Sequence, residues 1–312
     1  MFRPKETELS HPAYRDPVHD GATDPTLVRH RTTGEWWMFY TQRRAGLKCE
    51  GVEWVHGTDI GVAVSTDDCR TWTYRGIARG LEYQPGRMTY WAPEVIADDD
   101  GTHHMYVSYL PGVRDDWLGD AHLLHYTSAD LLHWEFRSLL DLDSDRVIDA
   151  TVHPLPDGAG WRMWFKDERD DSRIHTADSP DLYTWTRTAP AATDQPQEGP
   201  TVFRLAGEYW MITDNWKGLS VYRSPDLENW TREPYQLLAA TPEGHHAMVV
   251  EQGASAALWY FTADEDDPAG RRSVVRAARL EVRDGALVCD PDAVAVPLAA
   301  GATPWYRGGK TK

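Results

Sequence analysis

Apolar residues in this chain gather in short runs rich in Trp, Tyr, Val and Ile, broken every few residues by Gly, Asp, Pro and Ser. Such runs suit strands, because β-branched and aromatic side chains pack well on a pleated surface, and no helical period competes over a comparable stretch. One unit recurs: a short apolar strand, a Gly-containing turn and an aromatic strand. It runs from Asp24-Pro-Thr-Leu-Val to Glu35-Trp-Trp-Met-Phe-Tyr40 and from Glu94-Val-Ile to Met105-Tyr-Val-Ser-Tyr109. It returns from Asp149-Ala-Thr-Val to Trp161-Arg-Met-Trp-Phe165 and from Glu198-Gly-Pro-Thr-Val-Phe to Glu208-Tyr-Trp-Met-Ile212. A fifth copy, His245-His-Ala-Met-Val-Val to Ala257-Leu-Trp-Tyr-Phe261, precedes strands expected around Ser273–Glu281 and Ala286–Cys289.

A second signature follows each of the first four copies: Ser65 to Trp72, Ser128 to Trp134, Ser179 to Trp185 and Ser224 to Trp230, each with an Asp two residues after the Ser. Ser and Asp at these offsets cap backbone N–H groups in a turn, and the Trp leads into the next strand. The closing Trp residues are spaced by 62, 51 and 45 residues, about one four-stranded propeller blade. The expectation is an all-β, five-bladed β-propeller of four-stranded antiparallel blades. Residues 1–312 would form a single domain, with blades starting near residues 24, 94, 149, 198 and 245.

A formal charge of −17 and the lack of a Lys/Arg block argue against nucleic acid as a partner. No apolar run is long enough to span a bilayer, so no membrane partner is expected. Cys49, Cys69 and Cys289 stand in no metal-ligand or disulfide pattern. Residues 1–10 are polar, without the apolar stretch of a secretory signal, which makes a cytoplasmic location the default expectation. Fifteen Trp and fourteen Tyr against six Phe fit two uses: filling tapered blades and stacking on the apolar face of a sugar.

In a propeller the first strand of each blade lines the axis, so equivalent strand starts converge on one face. Asp24, Glu94, Asp149, Glu198 and His245 occupy those starts. Acidic groups brought together cost stability, which favours a functional reason for the set. Strand alternation places the loops 42–59, 111–120, 166–172, 215–218 and 263–270 around the same face. Trp54, His56, Trp91, Trp117 and Trp216 are then candidates for sugar stacking, Arg43 and Arg44 for polar contacts, and Glu94 and His246 for further substrate contacts.

At these residues the chain resembles glycoside hydrolase family 43 and its five-bladed relatives. The matching pieces are Thr23-Asp24-Pro25, Tyr90-Trp-Ala-Pro-Glu-Val95, Ile148-Asp149-Ala-Thr-Val152, Glu198-Gly-Pro200 and Gly244-His245, one per blade and in order. The resemblance implies Asp24 as general base, Asp149 as the residue that tunes and orients the acid, and Glu198 as general acid. It also implies that His245 faces a central calcium or water cluster. No cofactor is required for the chemistry, and a structural calcium near His245 is the one metal suggested. Asp149 is followed by Ala where family members commonly carry Pro, and Asp16-Pro17 is a second candidate for the base. Asp24 is preferred because it lies 12 residues before Trp36, matching Glu94 to Tyr106 and Glu198 to Trp210. The pair His245-His246 and the phrase Glu208 to Asp214 are also similar to family 117, which acts on anhydro-galactose oligosaccharides and in which a histidine can share the acid's role.

The function expected from these residues is hydrolysis of terminal or side-chain glycosidic bonds in plant or algal oligo- or polysaccharides. Asp24 and Glu198 start the first and fourth inner strands and so face each other across the funnel, which favours an inverting acid/base mechanism. The alternatives are a family 117-like exo-acting anhydro-galactosidase, a retaining enzyme with Asp24 as nucleophile, and a catalytically silent carbohydrate-binding propeller. A lyase relying on His11, His19 or His56 carries low weight, and oligomeric state is not readable.

Overall fold

The computed structural model describes residues 12–188 and 192–291. Five four-stranded antiparallel sheets follow one another in chain order. The first sheet holds β1 (Ala22–Arg29), β2 (Trp36–Gln42), β3 (Asp59–Ser65) and β4 (Thr73–Ile77); the second holds β5 (Thr89–Ala97), β6 (His103–Leu110), β7 (His122–Ser128) and β8 (Glu135–Leu139). The third holds β9 (Val147–Pro154), β10 (Trp161–Asp167), β11 (Arg173–Ser179) and β12 (Thr186–Thr188); the fourth holds β13 (Glu198–Leu205), β14 (Glu208–Asp214), β15 (Leu219–Ser224) and β16 (Thr231–Leu237). The fifth consists of β17 (His245–Gln252), β18 (Ser255–Ala263), β19 (Ser273–Arg283) and β20 (Ala286–Asp290). Each sheet is one blade of an all-β, five-bladed propeller. The only helical turns among the described residues are two 3-10 turns, Glu53–Val55 and Pro156–Gly158, so no helix there is long and apolar enough to cross a membrane.

Burial explains why the strands read differently along each blade. The inner strands β1 and β9 are buried on both faces, whereas the outer strand β4 alternates exposed and half-buried positions, as an edge with one solvated face should. Trp36, Trp164, Trp210 and Trp259, all on second strands, are fully buried, so these rings are core. The repeated turn is also structural. Ser128 Oγ accepts from the N–H groups of Asp130 and Leu131, and Asp130 Oδ1 accepts from those of Leu132 and His133. The same bonds recur at Ser179 and Asp181, and at Ser224 and Asp226.

The segment before β1 packs on the last blade and closes the ring: Tyr14 bridges Val275, and Gly21 bridges Ser273. Asp16 anchors this closure. Its carboxylate accepts from Tyr40 OH at 2.8 Å, Gln42 Nε2 at 2.8 Å and the His19 N–H at 2.7 Å. Asp16 is held in that network and is not among the residues that line the axial cavity.

Candidate active site

Every inner strand carries an irregularity near its start, where the pairing with the second strand shifts register. The residue there adopts a left-handed backbone in each blade: Asp24 (φ 51), Ala92 (φ 44), Asp149 (φ 60), Gly199 (φ 51) and His246 (φ 35). Non-glycine residues in this region are strained, and five bulges ringing one axis mark a place where side chains are re-aimed. The structure corrects the expected equivalence. Asp24 and Asp149 are bulge residues, Glu198 and His245 lie one position before the bulge, and Glu94 lies two positions after it.

A shared device fixes three of the five bulges from the neighbouring blade. On each second strand one residue pairs with the position before the bulge: Thr41, Ser108, Lys166, Asp214 and Phe261. Thr41 Oγ1 accepts the N–H of Ala92 at 2.8 Å, Ser108 Oγ that of Asp149 at 2.9 Å, and Asp214 Oδ2 that of His246 at 3.2 Å. In the third blade the position is Lys166, which cannot accept. The Gly199 N–H instead donates to Asp149 Oδ2 at 3.2 Å, and the Lys166 ammonium reaches Glu198 Oε2 at 2.9 Å and Glu168 Oε1 at 3.2 Å. Gly199 is required: a Cβ there would lie 2.7 Å from His246 Nδ1.

These residues meet in a cavity of about 580 Å³ lined by Asp24, Asp149, Glu198, Arg43, Trp54, Trp91, Trp117, Trp216, His245 and His246, together with Lys166, Asp214 and Phe261. Asp24 is buried. Burial alone would raise its pKa, but the charges of Arg43 and His246, 3.9 and 3.6 Å from Oδ1, and hydroxyl bonds from Thr41 and Thr23 bring it below the ordinary value. Asp149 goes the other way. Burial pushes it up to about 6, with Glu198 and Asp24 adding repulsion that His246 and Lys166 partly offset. Burial opposes charge on Lys166 and His246, yet both are held above their usual values, Lys166 chiefly by Glu198 and His246 chiefly by Asp24. His245 Nδ1 lies 2.9 Å from Asp214 Oδ2, and that bond outweighs burial to raise its pKa.

Three of the expected contacts, His56, Glu94 and Arg44, fall outside the cavity lining. His56 is fully buried: its Nε2 donates to the Asp116 carbonyl at 3.0 Å, and its ring packs 5.0 Å from Trp91 and 6.3 Å from Trp117. It props those rings from behind. Glu94 points down the axis below the bulges and lines a separate, narrow void. Arg44, expected among the polar contacts, is bonded to the carbonyls of His56 and Glu53 and holds its loop. His19 lies outside the cavity and His11 outside the described residues. Trp117 and Trp216 stand half exposed at the rim, with the Lys166 ammonium 5.5 Å from the Trp216 ring. A calcium at His245 gains no ligand set here: the ion calls for six to eight oxygens, and among the described residues no group of three or more His, Cys, Asp or Glu gathers as metal ligands.

Lys166, Asp214 and Phe261 were not singled out by sequence as site residues. Their signal was positional, the end of each aromatic second strand, where the inner face of the blade meets the cavity.

The architecture is a five-bladed propeller with a carboxylate-lined cavity on its axis. Residues 15–255 match the model of the family 43-related glycosyl hydrolases, described as "probable glycosyl hydrolase domain", and the chain belongs to that family. A search of curated protein sequences returns no match. Among solved structures, a thermostable family 43 glycoside hydrolase superposes with a TM-score of 0.70 at 19% identity, covering 91% of this chain and 99% of that one. A family 43 β-1,3-galactosidase with galactodeoxynojirimycin gives 0.68 at 16% identity, covering 88% and 96%. An α-L-arabinofuranosidase from Lactobacillus brevis gives 0.65 at 14% identity, covering 89% and 95%.

Proposed function

We propose that this chain hydrolyses terminal glycosidic bonds with inversion, Asp24 activating the attacking water and Glu198 protonating the leaving oxygen. The observation that carries the reading is the opposed tuning of Asp24 and Asp149 in one cavity. A lowered pKa keeps Asp24 ionised as a base, while Asp149, raised to about 6, holds a proton beside Glu198 as the pH falls. The Glu198 charge is one of the causes that raise Asp149, so the two carboxyls act on each other beside the leaving oxygen. Asp149 thus tunes and orients the acid.

Substrate contacts in this reading come from Trp54, Trp91, Trp117 and Trp216 by stacking and from Arg43, whose Nε is buried without a hydrogen-bond partner among the described residues. The floor of bulge residues closes the cavity, which suits a chain-end sugar and exo action. Galactosides and arabinofuranosides are the first substrates to try, since solved structures of the same fold include a galactosidase and an arabinofuranosidase.

One observation favours a second reading of the donor. Glu198 is ion-paired to Lys166, whereas His246 is half-buried 3.6 Å from Asp24 with a raised pKa, so an imidazolium is also placed to give a proton. The deciding experiment is a panel of aryl glycosides and plant or algal oligosaccharides assayed with the native protein and with Glu198→Gln and His246→Gln. Turnover lost only in Glu198→Gln supports the carboxylate donor, and turnover lost only in His246→Gln supports the histidine. Binding without turnover in the native protein supports a silent sugar-binding propeller.

A further inference from the structure

Glu94 stands on β5, between β1 and β9, the strands that carry Asp24 and Asp149. Its Oε1 accepts from the Val152 N–H at 3.0 Å and from Thr151 Oγ1 at 3.2 Å, both on β9. Its Oε2 accepts from Thr26 Oγ1 at 3.4 Å, on β1. Thr26 lies two residues beyond Asp24, and Thr151 two residues beyond Asp149. At the bulge position between those carboxylates the second blade carries Ala92, whose methyl group can make no hydrogen bond to either.

We propose that Glu94 is a positioning residue: a carboxylate brace that ties β1 to β9 beneath the bulges and so sets the spacing of Asp24 and Asp149. This rests on the reading of those two aspartates as the catalytic pair. Three observations support it. The carboxylate spans both neighbouring strands. All three of its bonds are made directly below the strained residues. Its chain borders a narrow void on the axis, lined also by Thr201 and Met248, into which an unbraced strand could relax. A tie matters here because a bulge residue is re-aimed by small backbone shifts, and a displacement of about 1 Å in a catalytic group can cost roughly 10²-fold in rate.

The brace works through hydrogen bonds, so the conservative variant should keep it. In Glu94→Gln the amide oxygen can still accept from Val152 and Thr151, while the amide NH₂ can donate to the Thr26 hydroxyl. Glu94→Ala removes all three bonds.

The test measures kcat, KM and thermal melting for both variants on the best substrate of the panel, with Asp24→Asn alongside. It also measures the titration of the Asp149 carboxyl carbon by NMR, which needs no turnover. The expected result is Glu94→Gln within about threefold of native kcat, and folded Glu94→Ala with kcat down about 10²-fold at little-changed KM. The Asp149 titration should fall in Glu94→Ala, since splayed strands admit water and weaken the repulsion from Asp24. A Glu94→Ala protein that loses only melting temperature, with kcat and the Asp149 titration unchanged, would overturn the brace. So would Glu94→Gln as impaired as Glu94→Ala, because charge and not bonding would then be what matters. Native-like turnover in Asp24→Asn would instead sink the catalytic reading, leaving the Asp149 titration to judge the brace on its own.

Discussion

Lys166 Nζ sits 2.9 Å from Glu198 Oε2, in the blade where a lysine stands at the position from which Thr41, Ser108 and Asp214 accept the next bulge N–H. The substitution does two things at once. It leaves the Gly199 N–H to bond Asp149, and it places a buried cation 2.9 Å from half-buried Glu198, where its charge also bears on buried Asp149.

Lys166→Met should therefore raise the pKa of Asp149 further, since the Lys166 charge partly offsets the burial and repulsion that push it up. If Asp149 must carry a proton for turnover, the basic limb of kcat/KM against pH moves up by about one unit. A limb that stays in place would separate Lys166 from the proton donor.

Asp24→Asn and Glu198→Gln should each lower kcat by about 10²–10⁴-fold in a protein that melts normally. Asp16→Asn should do the reverse. Its carboxylate holds Tyr40, Gln42 and the His19 N–H in the ring closure, so the melting temperature should drop, by about 1–3 kcal/mol of stability, with kcat nearly intact. Circular dichroism melts beside initial rates distinguish the two patterns.

Gly199→Ala introduces a Cβ at φ 51, 2.7 Å from His246 Nδ1. The left-handed backbone alone costs an alanine about 1–2 kcal/mol, and the contact pushes His246 off Asp24. Lower stability and a kcat reduced at least about tenfold are expected together, the first from the backbone and the second from lost geometry. Urea melts and initial rates read both.

The five blades were legible because their signals are local. Ser128, Asp130 and Trp134 make a turn by themselves, and Glu35 to Tyr40 declares a buried strand by composition. The convergence of Asp24, Asp149 and Glu198 on one cavity was legible for the same reason, since blade-length spacing is a sequence property. The bulges were not. A single extra residue flips a strand's side chains to the other face, and Glu94, two positions past Ala92, ends under the floor instead of in it. Lys166 was hidden because its partner belongs to the next blade, and packing between blades leaves no periodic trace.

Stability against pH offers a separate check on the buried carboxylate below the floor. Burial raises Glu94 to about 7, so the folded state binds its proton more tightly than the unfolded chain does. The penalty for burying its charge is complete above pH 7 and fades as pH falls toward the unfolded value near 4.5. Buried histidines act oppositely: His103 and His153, pressed to about 4, and His125, pressed to about 3, lower stability as pH drops below 6.5. The difference between Glu94→Gln and native protein isolates the carboxyl. Its relative stability should rise from pH 5 to pH 8, and a flat difference curve would show that Glu94 carries no buried charge.

The configuration of the first-formed sugar tests the proposed chemistry most directly. Proton NMR of a galactoside or arabinofuranoside digest, recorded before mutarotation, resolves the anomeric signal of the product. Water activated by Asp24 attacks the face opposite the leaving group, so the initial product should carry the anomeric configuration inverse to the substrate. A product that keeps the substrate's configuration would require a covalent intermediate and would contradict Asp24 as the base.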